Sequence, residues 1–158
     1  MNHGKEVSFD RVAYLQDKTE KDFIISSCGY FVAENSAYNL YNRHYHNGYA
    51  LFYLHKGQAR LPMPDGTNKI LKEGEIIIFR PFEYPKITFL SDAINERYYV
   101  YFEGKNVSKC LEKLKLNDKR HYHVGDFSAH IETFHKIMDD FARRDYHDDI
   151  FRTTYFLN

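Results

Sequence analysis

The sequence has no tryptophan, two cysteines and four prolines in 158 residues. Cys28 and Cys110 are too few for a disulfide framework, and neither sits in a Cys-x-x-Cys pair. They read as reduced thiols of a cytoplasmic protein. Charge of one sign is also missing, since 22 Lys and Arg balance 22 Asp and Glu. A free-standing nucleic-acid binder carries a basic excess, so these residues are not expected to contact DNA themselves. No apolar run approaches the roughly 20 residues that span a bilayer, and no membrane partner is expected. The first residues lack the apolar core of a signal peptide.

Aromatic residues, by contrast, are abundant. Fourteen Tyr and thirteen Phe make up 17% of the chain, and such residues favour strands and line binding cavities. Residues 1–21 are mostly polar and read as an N-terminal arm. Short strand signals follow at Phe23–Cys28, Tyr30–Ala33 and Leu40–His46, with Gly29 breaking the first two. Tyr49–Leu54 is a continuous apolar run of strand length and reads as a strand covered on both faces. Ala59–Met63 and Lys69–Leu71 flank Pro64-Asp65-Gly66-Thr67, a hairpin signal in which glycine accepts the positive φ of a tight turn. Pro62 cannot donate to a ladder, which predicts an edge or a bulge there. Glu75–Phe79, Lys86–Leu90 and Arg97–Phe102 complete a spacing typical of a sandwich or barrel.

Beyond Gly104 the apolar period changes to about 3.6. Val107, Cys110, Leu111 and Leu114 mark one helix, which Asn106 can cap. His121–Val124 reads as a last strand. A second helix carries Ile131, Phe134, Ile137, Met138 and Phe141 on one side. That stripe has two possible uses, covering the barrel or pairing with a second copy. A third helix is expected after Asp148 or Asp149. Thr153–Asn158 reads as mid-helix, without a terminating signal, so the natural polypeptide is expected to continue. The basic residues Lys105, Lys109, Lys113, Lys115, Lys119 and Arg120 alternate with acids and read as a solvated face.

The sharpest local feature is Arg43-His44-Tyr45-His46. In a strand, His44 and His46 share one face, as many barrel metal sites begin, and a metal needs at least one further ligand. A second such pair is His121 and His123. His-x-His, then a hydrophobic strand ending at Gly57, resembles the first cupin motif, and Gly74–Pro85 is similar to the second. Two of the four ligands of a metal-binding cupin are missing: Ala50 stands in the glutamate position and Pro85 in that of the last histidine. That departure resembles the sensor domains of AraC/XylS regulators, which share the barrel but usually not its metal. The motifs that carry the resemblance run from Leu40 to Leu114, above all Arg97–Gly104, an aromatic strand ending in Phe-x-Gly before an amphipathic helix.

The resemblance implies a mainly β, cupin-type double-stranded β-helix over residues 22–104, and helices over 105–158. It implies a small-molecule effector, a sugar or related metabolite, in the barrel's mouth, and neither metal nor cofactor. By resemblance and strand parity the expected ligand-binding residues are Arg43, His44, His46, Arg97, Tyr99 and Tyr101. Arg offers a planar fork, and Tyr an apolar face with one hydroxyl. The resemblance further implies a homodimer formed through Ile131, Phe134, Ile137, Met138 and Phe141, with DNA bound only by a helix-turn-helix domain beyond Asn158. Two alternatives are a metal-dependent cupin enzyme, such as a sugar isomerase or dioxygenase, and a carbohydrate-binding cupin module.

Overall fold

A computed structural model describes residues 4–10, 22–33, 38–41, 48–83, 86–90, 94–125 and 128–143. The strands are β1 (Gly4–Asp10), β2 (Ile24–Ala33), β3 (Tyr38–Tyr41), β4 (Tyr49–Lys56), β5 (Ala59–Pro62), β6 (Asn68–Leu71), β7 (Glu75–Phe79), β8 (Lys86–Phe89), β9 (Asn95–Glu103) and β10 (His121–His123), with helices α1 (Val107–Lys113) and α2 (Ser128–Ala142). They form a six-stranded sheet, ordered β1-β2-β9-β4-β7-β10, and a four-stranded sheet, ordered β3-β8-β5-β6. All pairings are antiparallel. The expected cupin-type barrel is the fold of this chain. Gly4–Asp10, within the segment read as an arm, pairs with β2 as an edge strand of the larger sheet.

The larger sheet is covered on both faces. Leu51 and Tyr53 of β4, Ile76 and Ile78 of β7, and Tyr98, Val100 and Phe102 of β9 pack outward against α1 and α2. The alternate residues Ala50, Phe52, Leu54, Ile77, Phe79 and Tyr99 point inward, meeting Ala59, Leu61, Leu71, Ile87 and Phe89 of the smaller sheet. Double coverage explains the unbroken apolar runs of β4 and β7. The smaller sheet has one wet face, and β5 and β8 alternate accordingly: Arg60 and Lys86 are exposed, Leu61 and Ile87 buried.

Two local expectations need correcting. Gly29 does not break a strand; it lies mid-β2, held between Ser8 and Tyr99, since two neighbouring ladders outweigh its weak strand preference. The irregularity falls instead between Ile25 and Ser27, and the Ser26 hydroxyl donates to the Tyr101 carbonyl at 3.3 Å. The extra residue reverses side-chain parity, so Ile25 and Cys28 both face the helices. Asn106 does stand at the N-cap of α1, but its side chain makes no cap bond and donates to Asp22 Oδ1 at 3.0 Å. Gly104 explains the proximity of Asp22: its φ is +141°, and a Cβ there would meet the Asp22 carbonyl oxygen at 2.5 Å.

Other expectations match. The β5–β6 turn is closed by Met63 N–H donating to the Thr67 carbonyl at 2.8 Å, with Gly66 at φ +83°. Asp65 Oδ1 accepts from both the backbone and the hydroxyl of Thr67, and these bonds hold its carboxyl below the usual range. β5, by contrast, is not the edge or bulged strand that Pro62 predicts, since it lies between β8 and β6; Pro62 itself lies past the stretch where β5 pairs with β8, so the ladder there asks no donor of it. The α2 stripe takes the first of its two uses. Phe134, Ile137 and Met138 are buried against the chain's own barrel, while Ile131 and Phe141 are half-buried at the rim. The expected third helix lies outside the described residues.

Helix α1 ends in a Schellman motif, with Leu116 N–H donating to the Leu111 carbonyl at 2.8 Å and Lys115 N–H to that of Glu112 at 3.0 Å. Lys115 occupies the left-handed position of that motif at φ +56°. Glycine is the least strained residue there, so Lys115→Gly is expected to raise stability by about 0.5–1 kcal/mol in urea unfolding. Tyr98, buried beneath α2, donates its hydroxyl to Glu96 at 2.9 Å. Burial first, then the Glu96 carboxylate, raise its pKa well above the usual value of about 10. The folded-state pKa being the higher, this contribution is complete below about pH 10 and is lost as pH rises through the alkaline range. Tyr98→Phe is expected to flatten the fall of the urea midpoint above pH 10, and an unchanged slope would contradict this.

Candidate functional site

The barrel interior is built by parity. Across the larger sheet, one inward row reads Ser27, Tyr101, Ala50, Phe79. The next reads Gly29, Tyr99, Phe52, Ile77, His121, and a third Phe31, Arg97, Leu54, Glu75, His123. The structure therefore brings Arg97, Tyr99 and Tyr101 to the inner face, as their spacing predicts. Arg43, His44 and His46 lie outside the described residues.

The first two rows form an aromatic wall. Phe52 meets Phe79 edge to face at 5.9 Å, Tyr101 edge to face at 6.1 Å and Tyr99 at 6.0 Å, and Tyr99 meets Tyr101 at 5.7 Å. Tyr99 is 7% exposed and belongs to the core, whereas Tyr101 is half-buried against it. Gly29 stands opposite Tyr99 and adds no side chain beside that ring. Ala50 is buried between Tyr101 and Phe79 and offers no ligand atom where metal-binding cupins place a glutamate. Among the described residues no group of three or more His, Cys, Asp or Glu is placed to hold a metal ion.

Arg97 has a different setting. It is 3% exposed, and its guanidinium carbon lies 4.8 Å from the Phe31 ring centre and 4.7 Å from that of Phe89. A desolvated cation over two rings ties the larger sheet to the smaller one at the row farthest from Tyr101. Parity alone finds Phe52 and Phe79, which share the face of Ala50, although neither belongs to the expected ligand-binding set. Phe31 and Phe89 carry no such local signal.

Beside the Phe79 end of the barrel lies a polar cleft. The Arg120 guanidinium sits 5.6 Å from the Phe79 ring centre and pairs with Glu83 Oε1 at 2.7 Å. Glu83 Oε2 accepts the Arg80 backbone N–H at 2.7 Å. Arg80 Nη2 in turn donates to the carbonyls of Asn117 at 2.7 Å and Lys119 at 3.1 Å. Arg120 is thus half-buried in a network rather than part of a solvated basic face; Lys105, Lys109, Lys113, Lys115 and Lys119 are exposed as expected.

Two packed antiparallel sheets with helices on one outer face and an aromatic interior define a cupin-type barrel of the kind that holds small molecules. The model of the AraC-like ligand binding domain family matches residues 29–158, and the chain belongs to that family. It is an effector-binding regulatory domain. No curated protein sequence matches it. Among solved structures it is similar to YhaK from Escherichia coli, at 17% identity and TM-score 0.48 over 65% of this chain and 46% of that one. It is similar to apo ToxT from Vibrio cholerae, at 13% identity and TM-score 0.48 over 89% of this chain and 55% of that one. A third is the cupin domain of an XRE family transcriptional regulator from Enterobacter cloacae, at 10% identity and TM-score 0.41 over 62% and 94%. The chain thus spans about half the length of YhaK and of ToxT. Among the described residues no helix is long and apolar enough to cross a membrane.

The setting of Arg97 gives a test of its structural part. Arg97→Ala is expected to cost about 2 kcal/mol or more in urea unfolding, because a buried cation–π contact and its packing are lost together. A cost below roughly 0.5 kcal/mol, the range of ordinary surface substitutions, would show that the contact contributes little.

Proposed function

We propose that the barrel holds a small, uncharged or weakly charged metabolite such as a sugar, against the wall formed by Tyr99, Tyr101, Phe52 and Phe79. The observation that carries this reading is that wall: aromatic rings on three adjacent strands, with the half-buried Tyr101 at its edge. Tyrosine and phenylalanine faces receive sugar C–H groups, and a tyrosine hydroxyl supplies a directional hydrogen bond. Arg43, His44 and His46 are proposed as further polar contacts. Arg97, by its burial under two rings, is proposed to shape the far end of the cavity rather than to grip the ligand. The domain performs no chemistry in this reading. The effector shifts a population, so it must prefer one arrangement of the domain over another. A homodimer is proposed to carry that change to DNA-binding domains attached beyond Asn158, with Ile131 and Phe141 at its edge.

A thermal-shift screen of pentoses, hexoses and their acids tests this proposal. An effector at 100 times its Kd adds about 2.7 kcal/mol, a rise of roughly 5–10 °C for a domain of this size. Tyr101→Ala is expected to weaken binding at least about tenfold by calorimetry. Tyr99→Phe is the informative change at its neighbour, since truncating a core aromatic costs about 3–5 kcal/mol of folding by itself. Unchanged affinity in both variants would remove the wall from the site. Stoichiometric zinc, iron or manganese in the purified chain would favour a metal-dependent enzyme instead.

A further inference from the structure

We infer that the polar cleft beside the barrel is a binding site in its own right, for a small oxyanion carried as a carboxylate or a phosphate. The cleft has a volume of about 440 Å³ and lies between the β5–β6 turn, the Arg80–Glu83 turn and the loop from α1 to β10. Three cations line it, Arg80, Lys119 and Arg120, against two carboxylates, Glu83 and Asp118. Both carboxylates already have partners within the chain. Glu83 accepts from Arg120 at 2.7 Å and from the Arg80 backbone at 2.7 Å, and Asp118 accepts from the Tyr122 hydroxyl at 3.0 Å. Three cations against two carboxylates leave one positive charge in excess.

Two of the donors are held in place before any ligand arrives. Arg80 is pinned through Nη2 by the carbonyls of Asn117 and Lys119, which leaves its Nε and Nη1 for other acceptors. Arg120 is fixed between Glu83 and the Phe79 ring. Fixed guanidinium groups lose little freedom on binding, and they match the geometry of carboxylate and phosphate oxygens. His121 adds an independent sign. It lines the cleft, and its Nδ1 is buried without a hydrogen-bond partner among the described residues. A buried ring nitrogen without a partner is uncommon, and a ligand in the cleft would supply one. Met63 and Pro64 give the cleft one apolar wall, suited to the short body of an organic acid.

This site lies at the edge of the barrel, where the second inward row ends at His121. The Phe79 ring faces Arg120 on the cleft side and meets Phe52 within the barrel. A change at Tyr101 should accordingly leave the cleft intact, which keeps the two proposals independent.

Inorganic phosphate and propionate are titrated separately into the purified chain at ionic strength held constant with chloride. At least one is expected to raise the melting temperature along a saturable curve with a millimolar midpoint, and to move the His121 imidazole resonances along the same curve. His121→Gln assigns those resonances. Saturation by phosphate alone identifies a phosphate site, by propionate alone a carboxylate site, and by both a general oxyanion site. The double variant Lys119→Gln, His121→Gln keeps the Glu83–Arg120 pair and is expected to lose at least about tenfold in affinity, whereas Tyr101→Ala keeps full affinity. No saturable response to either anion, or a response unchanged in the double variant, would overturn the proposal.

Discussion

The central strands of the larger sheet have no solvent face, and the rest of the domain is arranged around that constraint. The central residues of β4, β7 and β9 must suit either the barrel interior or the underside of the helices, and the pleat decides which. A slip of one residue would exchange the two sets and send Arg97 and Tyr99 beneath α2. Register is therefore heavily specified. The bulge at Ser26 shows how strictly. One additional residue in β2 realigns Cys28 and Tyr30 with the helices and Ser27, Gly29 and Phe31 with the interior.

This double burial also explains what the helices do. A β-barrel of this type can leave one sheet wet, as the smaller sheet here does, with alternating exposed and buried residues. The larger sheet cannot, because Tyr53, Tyr98, Val100 and Phe102 face outward. Helices α1 and α2 exist to cover them. Phe134 stacks on Tyr53 at 6.1 Å and meets Tyr98 at 5.3 Å, while Val107 and Leu111 seal the other end. Of the α2 stripe, Ile131 and Phe141 are left only partly buried.

Features set by local periodicity were legible in the sequence. The inward placement of Arg97, Tyr99 and Tyr101, the Asp65-Gly66 turn and the burial of β4 on both faces follow from alternation and turn chemistry. What was not legible depends on partners distant in the chain. Asn106 reads as a helix cap, and only Asp22, 84 positions away, diverts its side chain. Arg97 reads as a ligand-binding fork, and only the rings of Phe31 and Phe89 show it as a tie between sheets. Gly29 reads as a break because nothing local reveals that β1 and β9 flank it. The stripe on α2 had two possible uses, and its choice rests on the outer face of a sheet that spacing does not describe.

The residue at position 50 has the widest consequence for chemistry. A glutamate there would bring a charge into the row between Tyr101 and Phe79, and a buried carboxylate needs a metal or a cation to be tolerated. Alanine removes both the charge and the need, and Phe52 of the next row meets both Tyr101 and Phe79 edge to face. Among the described residues of the first two inward rows, polar recognition then falls to the tyrosine hydroxyls, to Ser27 and to the edge at His121. Beyond these rows the charged groups include Arg97, buried between the two sheets, and Arg120 and Glu83, which neutralise each other at the cleft past the Phe79 ring. An apolar wall thus lines the first two inward rows, and a charged rim lies outside them. They favour a ligand that is recognised by shape and stacking within the barrel, with ionic recognition confined to the rim.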